Sequence, residues 1–249
     1  MAGTTTTSRC AGRTAPRQTE SARSKSRNSK ACEQRLEPCL VNGCRRRTGH
    51  LVDWAATLRK EAQRSPILRS DDLARRYGIV ESAVGNALRR QERRGLVEHV
   101  SNKVYINKPA HDFSPRELVG ILRPHAYISL ESALAEWGIS TQSPSSLTCI
   151  TTGFPRKFRT HSIRIVYHHI SERLYWGFQE KRTRHGSYKM AEPEKALLDW
   201  IYLQRQQGLP VVLDELNLKV ADTLKLLKYA SKYPNPVQQT LQSALLQKE

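Results

Sequence analysis

The stretch VESAVGNALRRQERRGLVE, residues 80–98, decides how the chain is read. Its arginines come in pairs, Arg89 with Arg90 and Arg93 with Arg94, among small apolar residues, and the run ends at a glycine. At about 100° per residue a helix through it has two distinct faces. Val84, Ala87, Leu88 and Gln91 fall on one face. Ser82, Gly85, Asn86, Arg89 and Arg93 fall on the other, with Arg90 at its edge. Gly95 suits the C′ position, where left-handed backbone costs glycine little. One face is built for burial, and the other carries hydrogen-bond donors.

The flanking segments give this helix a context. In HLVDWAATLRKEAQR (50–64), Leu51, Trp54, Ala55 and Leu58 recur at helical spacing, which predicts an amphipathic first helix, broken by Ser65-Pro66. ILRSDDLARRYGI (67–79) follows. Ser70 is placed as an N-cap, Asp71 and Asp72 favour the positive end of the dipole, and Gly78 stops the helix. GLVEHVSNKVYIN (95–107) predicts two short strands, 96–100 and 104–107, around a Ser101-Asn102-Lys103 turn. The order is helix, short strand, helix, tight turn, helix, hairpin. That is the plan of a winged helix-turn-helix, expected over residues 51–110.

Charge points to the partner. The 249 residues carry a formal charge of +18, divided as +8 over residues 1–50, +5 over 51–110 and +5 over 111–249. Each part alone is drawn to a polyanion, and nucleic acid is the commonest one. Surplus charge kept for solubility is the competing explanation. A B-DNA major groove, about 12 Å wide, admits one helix, whose N-terminal half meets base edges. On that geometry Ser82, Gly85 and Asn86 lie at the DNA, with Gly85 allowing close approach. Asn86 suits an adenine edge, Arg89 a guanine, and Arg90 and Arg93 hold phosphates. Lys103 at the hairpin tip reaches the flanking backbone, and Arg75 and Arg76 are weaker phosphate candidates. The alternatives are an ordinary solvated helix face and a winged-helix protein-interaction module that binds an acidic partner without specific DNA binding.

Residues 1–48 are rich in Thr, Ser and Arg and nearly free of large apolar side chains. Such a segment cannot bury enough surface to offset its ordering entropy, so a disordered basic leader is expected over 1–50. A basic DNA-binding arm, an upstream mis-assigned start or an organellar transit peptide each fit its composition. Cysteines stand at 10, 32, 39, 44 and 149, an odd number that favours reduced thiols over a disulfide framework. Cys32, Cys39, Cys44 and His50 fit none of the common zinc spacings, so no metal is expected. No run approaches the ~18 apolar residues of a membrane span, and a cytoplasmic protein is expected.

From about residue 112 the texture changes, and a mixed α/β regulatory domain is expected over 111–249, making the chain α+β. A helix is predicted at 114–122 and another capped by Ser129, with Leu130, Ala133, Leu134 and Trp137 inward. SLTCITTG and SIRIVYHHI suggest strands, and a hairpin is expected to turn near His185-Gly186. Pro193 at a first helical position opens EPEKALLDWIYLQRQ, with Ala196, Leu197, Trp200 and Ile201 as its core face. Two further helices are expected around 220–231 and 237–246.

The densest ionisable cluster is Glu192, Glu194, Lys195 and Asp199. Acids around an opening turn favour the helix dipole, and Lys195 with Asp199 at i,i+4 predicts a modest surface pair. His168 and His169 are neighbours on an expected strand and point to opposite faces, so they do not share a metal. Trp137, Trp176 and Trp200 are expected as core. No P-loop, G-x-G-x-x-G, H-E-x-x-H or G-x-S-x-G occurs, nor the Pro-Asp and Glu-x-Lys strings of a common nuclease class. Neither catalysis nor a cofactor is expected.

Three segments carry a resemblance. HAYISLESALAEWGI (125–139), TTGFPRKFRTHSIRIVYHHI (151–170) and MAEPEKALLDWIY (190–202), in this order after a winged domain, resemble the AbiE-type (AbiEi-family) abortive-infection antitoxins. Those are bacterial transcriptional regulators of viral defence, paired as type IV toxin–antitoxin systems with a nucleotidyltransferase-like toxin. The resemblance covers about residues 51–203. It implies a DNA-binding repressor of its own operon, acting on double-stranded DNA with inverted repeats. It also implies a C-terminal domain that contributes to toxin neutralisation and to full repression.

Overall fold

Caps and helix breakers set the first elements of the computed structural model, which describes residues 52–246. The expectations for the leader at 1–50, for Cys32, Cys39, Cys44 and His50, and for Leu51 fall outside the described residues. Helix α1 (Trp54–Ala62) starts later than its periodic run. Asp53 is the reason, because its carboxylate accepts from Ala55 N and Ala56 N at 3.0 and 3.3 Å and so ends the chain's extended approach. Strand β1 (Ile67–Arg69) and helix α2 (Ser70–Tyr77) follow. Ser70 is not the N-cap expected of it. It is the first helical residue, Arg69 holds the cap position, and Ser70 N donates to Lys103 O at 2.9 Å. Tertiary pairing with the hairpin tip has displaced the local cap.

Gly78 closes α2 in left-handed backbone, φ 63°, and α3 (Glu81–Arg93) begins three residues later. Its buried residues are Val84, Ala87, Leu88 and Gln91, the face expected from periodicity. Gly95, at φ 74°, turns the chain into β2 (Val97–Ser101) and β3 (Val104–Asn107), which pair antiparallel. With β1 beside β3 they make a three-stranded sheet ordered β1-β3-β2. Tyr105 packs with Leu58, Leu68, Leu73, Val84, Leu88 and Val97 in a small core, while Val104 and Ile106 join a larger one. β3 is therefore buried on both sides, and the described residues cluster as one compact unit.

The rest of the described chain is mixed. It runs through α4 (Glu117–Leu122), β4 (Ala126–Ile128), α5 (Leu130–Glu136), β5 (Leu147–Thr151), β6 (Arg156–Arg159) and β7 (Arg164–His169). Then come β8 (Phe178–Arg182), β9 (Ser187–Ala191), α6 (Pro193–Gln206), α7 (Thr223–Ala230) and α8 (Asn235–Leu246). The six strands lie in the order β6-β7-β5-β4-β9-β8, with β5–β7 and β4–β9 parallel and the other pairs antiparallel. Alternation puts Thr148 and Ile150 on the face that takes α5, where Thr148 Oγ1 accepts from Ser132 N at 3.0 Å. Cys149 and Tyr167 face the other way, and Tyr167 OH donates to Val119 O of α4 at 3.1 Å. Helices thus cover both faces of this sheet, and the described chain is α+β.

Two expectations for this region need correction. Ser129 precedes α5 but makes no cap bond; its hydroxyl donates to Asp199 Oδ2 at 2.9 Å, and Leu130 takes a left-handed φ of 56° beside it. Lys195 and Asp199 are not a surface pair, since both are wholly buried and paired with each other. Tyr233 OH donates to Asp199 Oδ1 at 2.6 Å and Tyr127 OH to Oδ2 at 3.0 Å. Glu192 is the N-cap residue of α6 and Glu194 stands in its first turn, where an acid favours the dipole, though the Glu192 side chain makes no cap bond. The two acids also hold α7: Lys225 Nζ is 3.1 and 3.0 Å from them, and Asp222 N donates to Glu194 at 3.0 Å. Spacing of i,i+4 names a helix face without saying what covers it, and here the cover is α7, α8 and β4.

The other polar expectations fare differently. His168 is half-buried, which pulls its pKa below the ordinary histidine value, and His169 is exposed. Trp137 and Trp200 are half-buried with their indole N–H groups donating to Ala191 O and Glu131 Oε1. Among the described residues no helix is long and apolar enough to cross a membrane, and no group of three His, Cys, Asp or Glu side chains is placed to hold a metal.

Glu98 on β2 joins the two cores. Its carboxylate accepts from Ser162 N at 3.1 Å and Ser162 Oγ at 2.7 Å, in the turn between β6 and β7. Burial alone raises its pKa, but the bonds from Thr160 and Ser162 and the charge of Lys108 outweigh it and hold the carboxyl below its ordinary value. A carboxyl depressed on folding stabilises above its unfolded pKa, about 4.3, and that contribution disappears as pH falls through the folded value. Glu98→Gln is accordingly expected to lose about 1–3 kcal/mol at neutral pH and to flatten the acid limb of stability, as measured by denaturant unfolding across pH. A second variant tests the buried pair. Asp199→Asn strands the Lys195 charge and should cost about 3–5 kcal/mol, with Lys195→Met in the same chain restoring most of the loss.

Candidate nucleic-acid interface

The burial of Val84 and Leu88, both at 0% exposure, sets which side of α3 meets solvent. Ser82, Asn86, Arg89, Arg90 and Arg93 are all exposed, and Gly85 is half-exposed between them. Thirteen residues make α3 about 20 Å long. The row of donors therefore follows the helix axis over most of its length.

Ser82, Gly85, Asn86, Arg89 and Lys103 line one open depression of about 460 Å³ between α3 and the β2–β3 hairpin. Ser70, Glu81, His99, Asn102 and Tyr105 complete it. The structure thus brings together five of the seven expected contacts. Arg90 and Arg93 lie outside the depression, Arg90 toward the helix edge and Arg93 beyond Arg89 along the axis. Arg89, Arg90 and Arg93 have no carboxylate within 4.0 Å among the described residues. Arg89 Nη1 instead reaches Asn86 Oδ1 at 3.5 Å, so the guanidinium and the amide stand side by side.

Other cations are already engaged. Lys103 Nζ lies 2.8 Å from Glu81, whose carboxylate holds the ammonium pKa above the ordinary lysine value. This pair neutralises the one acid in the depression and spans from the hairpin tip to the start of α3. The expectation that Lys103 reaches freely to flanking phosphate is amended to that extent. Arg75 is paired with Asp72, and Arg76 with the buried Glu61, so the two weaker phosphate candidates are tied within their own fold.

His99, Asn102 and Tyr105 escaped sequence reasoning. His99 and Tyr105 are cross-strand partners with ring centroids 5.0 Å apart. The signal was their register: hairpin pairing through Ser101-Asn102-Lys103 puts both on the α3 side. Lys103 supports the tight turn with a left-handed φ of 63°.

Gly85 gives the sharpest test of close approach. A Cβ built there meets nothing within 4 Å, yet glycine inside a helix costs about 0.5–1 kcal/mol relative to alanine. Gly85→Ala is expected to raise the melting temperature while weakening DNA binding. Unchanged binding with raised stability would show that nothing approaches the backbone there.

Set beside known proteins, the chain matches no family model and no curated protein.

Proposed function

We propose that the chain is a transcriptional repressor whose α1, α2, α3 and β1–β3 form a winged helix-turn-helix. Helix α3 enters the major groove of double-stranded DNA, and the β2–β3 hairpin lies along the flanking backbone. The observation that carries this reading is the face of α3: three arginines with no carboxylate within 4.0 Å among the described residues, beside an amide and an open glycine, over a face buried to 0% at Val84 and Leu88.

The chemistry is divided along the helix. Asn86 and Arg89, neighbours at 3.5 Å, suit bidentate contacts to adenine and to guanine N7 and O6. Arg90 and Arg93 suit phosphates, which position the helix without reading sequence. Ser82 and Gly85 form the close-approach end. The role as antitoxin of an AbiE-like type IV pair, repressing its own operon, rests on the three resembling segments. In the fold these form β4–α5, β6–β7, and the end of β9 with most of α6, all around the larger core.

Binding to the DNA upstream of its own gene tests the reading. Arg89→Ala is expected to cost about 1–3 kcal/mol on the cognate site and to relax one base position. Arg93→Ala should weaken every sequence alike and reduce the salt slope by about 1. Equal binding of all three proteins to cognate and random duplex contradicts sequence recognition and favours the protein-interaction module. Rescue of cells expressing the adjacent nucleotidyltransferase tests the antitoxin role, and failure to rescue contradicts it.

A further inference from the structure

An open cleft of about 480 Å³ lies where the approach to α4, the helix α5, the loop before β5 and the β6–β7 turn meet. Its volume falls within the roughly 300–1,000 Å³ of small-molecule sites, and no residue of α3 lines it. Three kinds of polar group do. Arg164 brings a guanidinium with no carboxylate within 4.0 Å among the described residues, and its cross-strand neighbour is another cation, Arg159. Ser143 and Ser145, exposed in the loop, bring hydroxyls that bond to no described residue. Arg116 and Glu136 pair at 2.5 Å and bring a carboxylate whose charge is already balanced. Pro144, Leu147 and Ile163 add apolar wall.

A solvated loop accounts for the serines taken alone, and edge protection accounts for Arg159 on its outer strand. Neither accounts for Arg164, on an inner strand, facing the same hollow as two uncommitted hydroxyls and a neutralised acid. A few convergent polar groups over apolar wall are what a small-molecule site requires.

We infer that this cleft binds a small molecule carrying a phosphate monoester on a hydroxylated ring, the chemistry shared by sugar phosphates and mononucleotides. Arg164, Ser143 and Ser145 donate to the phosphate oxygens. Glu136 Oε1, which Arg116 leaves unused, accepts from ring hydroxyls, and the ring lies against Leu147 and Ile163. Occupancy reaches the small core through Ser162, which lines the cleft and gives both its N–H and its hydroxyl to Glu98 on β2. A phosphate, close to doubly charged at neutral pH, competes for that hydroxyl and repels the Glu98 carboxylate. It thereby loosens the strand whose next residue, His99, lines the α3 depression, and lowers DNA affinity. Binding at the cleft stands by itself, whereas this last step rests on the proposed DNA-binding role.

The test titrates the full chain with ribose 5-phosphate, adenosine 5′-monophosphate, ribose and inorganic phosphate in a calorimeter at constant ionic strength. At least one ester should bind at a single site and raise the melting temperature, and ribose should do neither. Tighter binding of the nucleotide identifies a place for the base, and tighter binding of the sugar phosphate excludes one. Arg164→Gln should weaken the ester about 10-fold and Ser145→Ala about 3-fold, with the melting temperature of the free protein unchanged. Arg89→Ala should bind the ester as the wild type does. Loss with Arg89→Ala but not with Arg164→Gln places the anion on α3 and overturns the cleft. Inorganic phosphate binding as tightly as the esters overturns it too, as does the absence of binding by either ester. Saturating ester should then lower affinity for duplex from upstream of the gene roughly 10-fold in the wild type and leave that of Arg164→Gln unchanged. Unchanged affinity with the ester bound overturns the link through Ser162. Ester binding without any duplex binding overturns the DNA-binding role and leaves the cleft standing.

Discussion

The burial of four side chains under α3 is the constraint on which the interface depends. Val84 and Leu88 are at 0% exposure, Ala87 at 1% and Gln91 at 6%, pressed against the small core of Leu58, Leu68, Leu73 and Tyr105. A rotation of the helix by one residue, about 100°, would drive an arginine into that core, at a desolvation cost far above anything a surface contact returns. The donors of the opposite face are therefore held outward by packing. Their own interactions are weak: one 3.5 Å contact between Arg89 and Asn86. Weak internal commitments on a rigid frame leave these groups available to a ligand.

A second anchor holds the larger core. Asp199 accepts from Tyr127, Ser129 and Tyr233 and pairs with Lys195, so one buried carboxylate joins β4, the start of α5, α6 and the segment leading into α8. The rings of Tyr127, Trp176 and Tyr233 lie 5.6, 5.1 and 5.2 Å from the Lys195 nitrogen. Burial lowers the Lys195 pKa and the Asp199 charge opposes that, while burial and then Asp199 push both tyrosines well above their ordinary value. Among the described residues these groups satisfy one another, which fits a structural role better than a catalytic one. Glu98 then couples this core to the smaller one, so that the α3 face and the β6–β7 ribbon belong to one unit.

Residues 52–107 were legible because their signals are local. Gly78, Gly95 and the apolar spacing within α3 each act over a few residues, and the helix, strand and hairpin order followed from them. Where tertiary pairing outweighed local preference, reading along the chain misplaced the role. Ser70 looked like a cap but is drawn into α2 by Lys103 O, and Ser129 looked like a cap but is taken by Asp199. Lys195 and Asp199 looked solvated because the helices that cover them come some 30 residues later. The pairing of Lys103 with Glu81 likewise joins positions whose nearness only the fold creates.

If α3 occupies the major groove, as proposed, methylation interference shows it most directly. Guanine N7 lies in the major groove and adenine N3 in the minor groove. N7-methylguanine within the bound site is then expected to block binding of the full chain, with the block lost where Arg89→Ala has relaxed a position. Binding indifferent to N7 methylation, or blocked by N3-methyladenine alone, would contradict it.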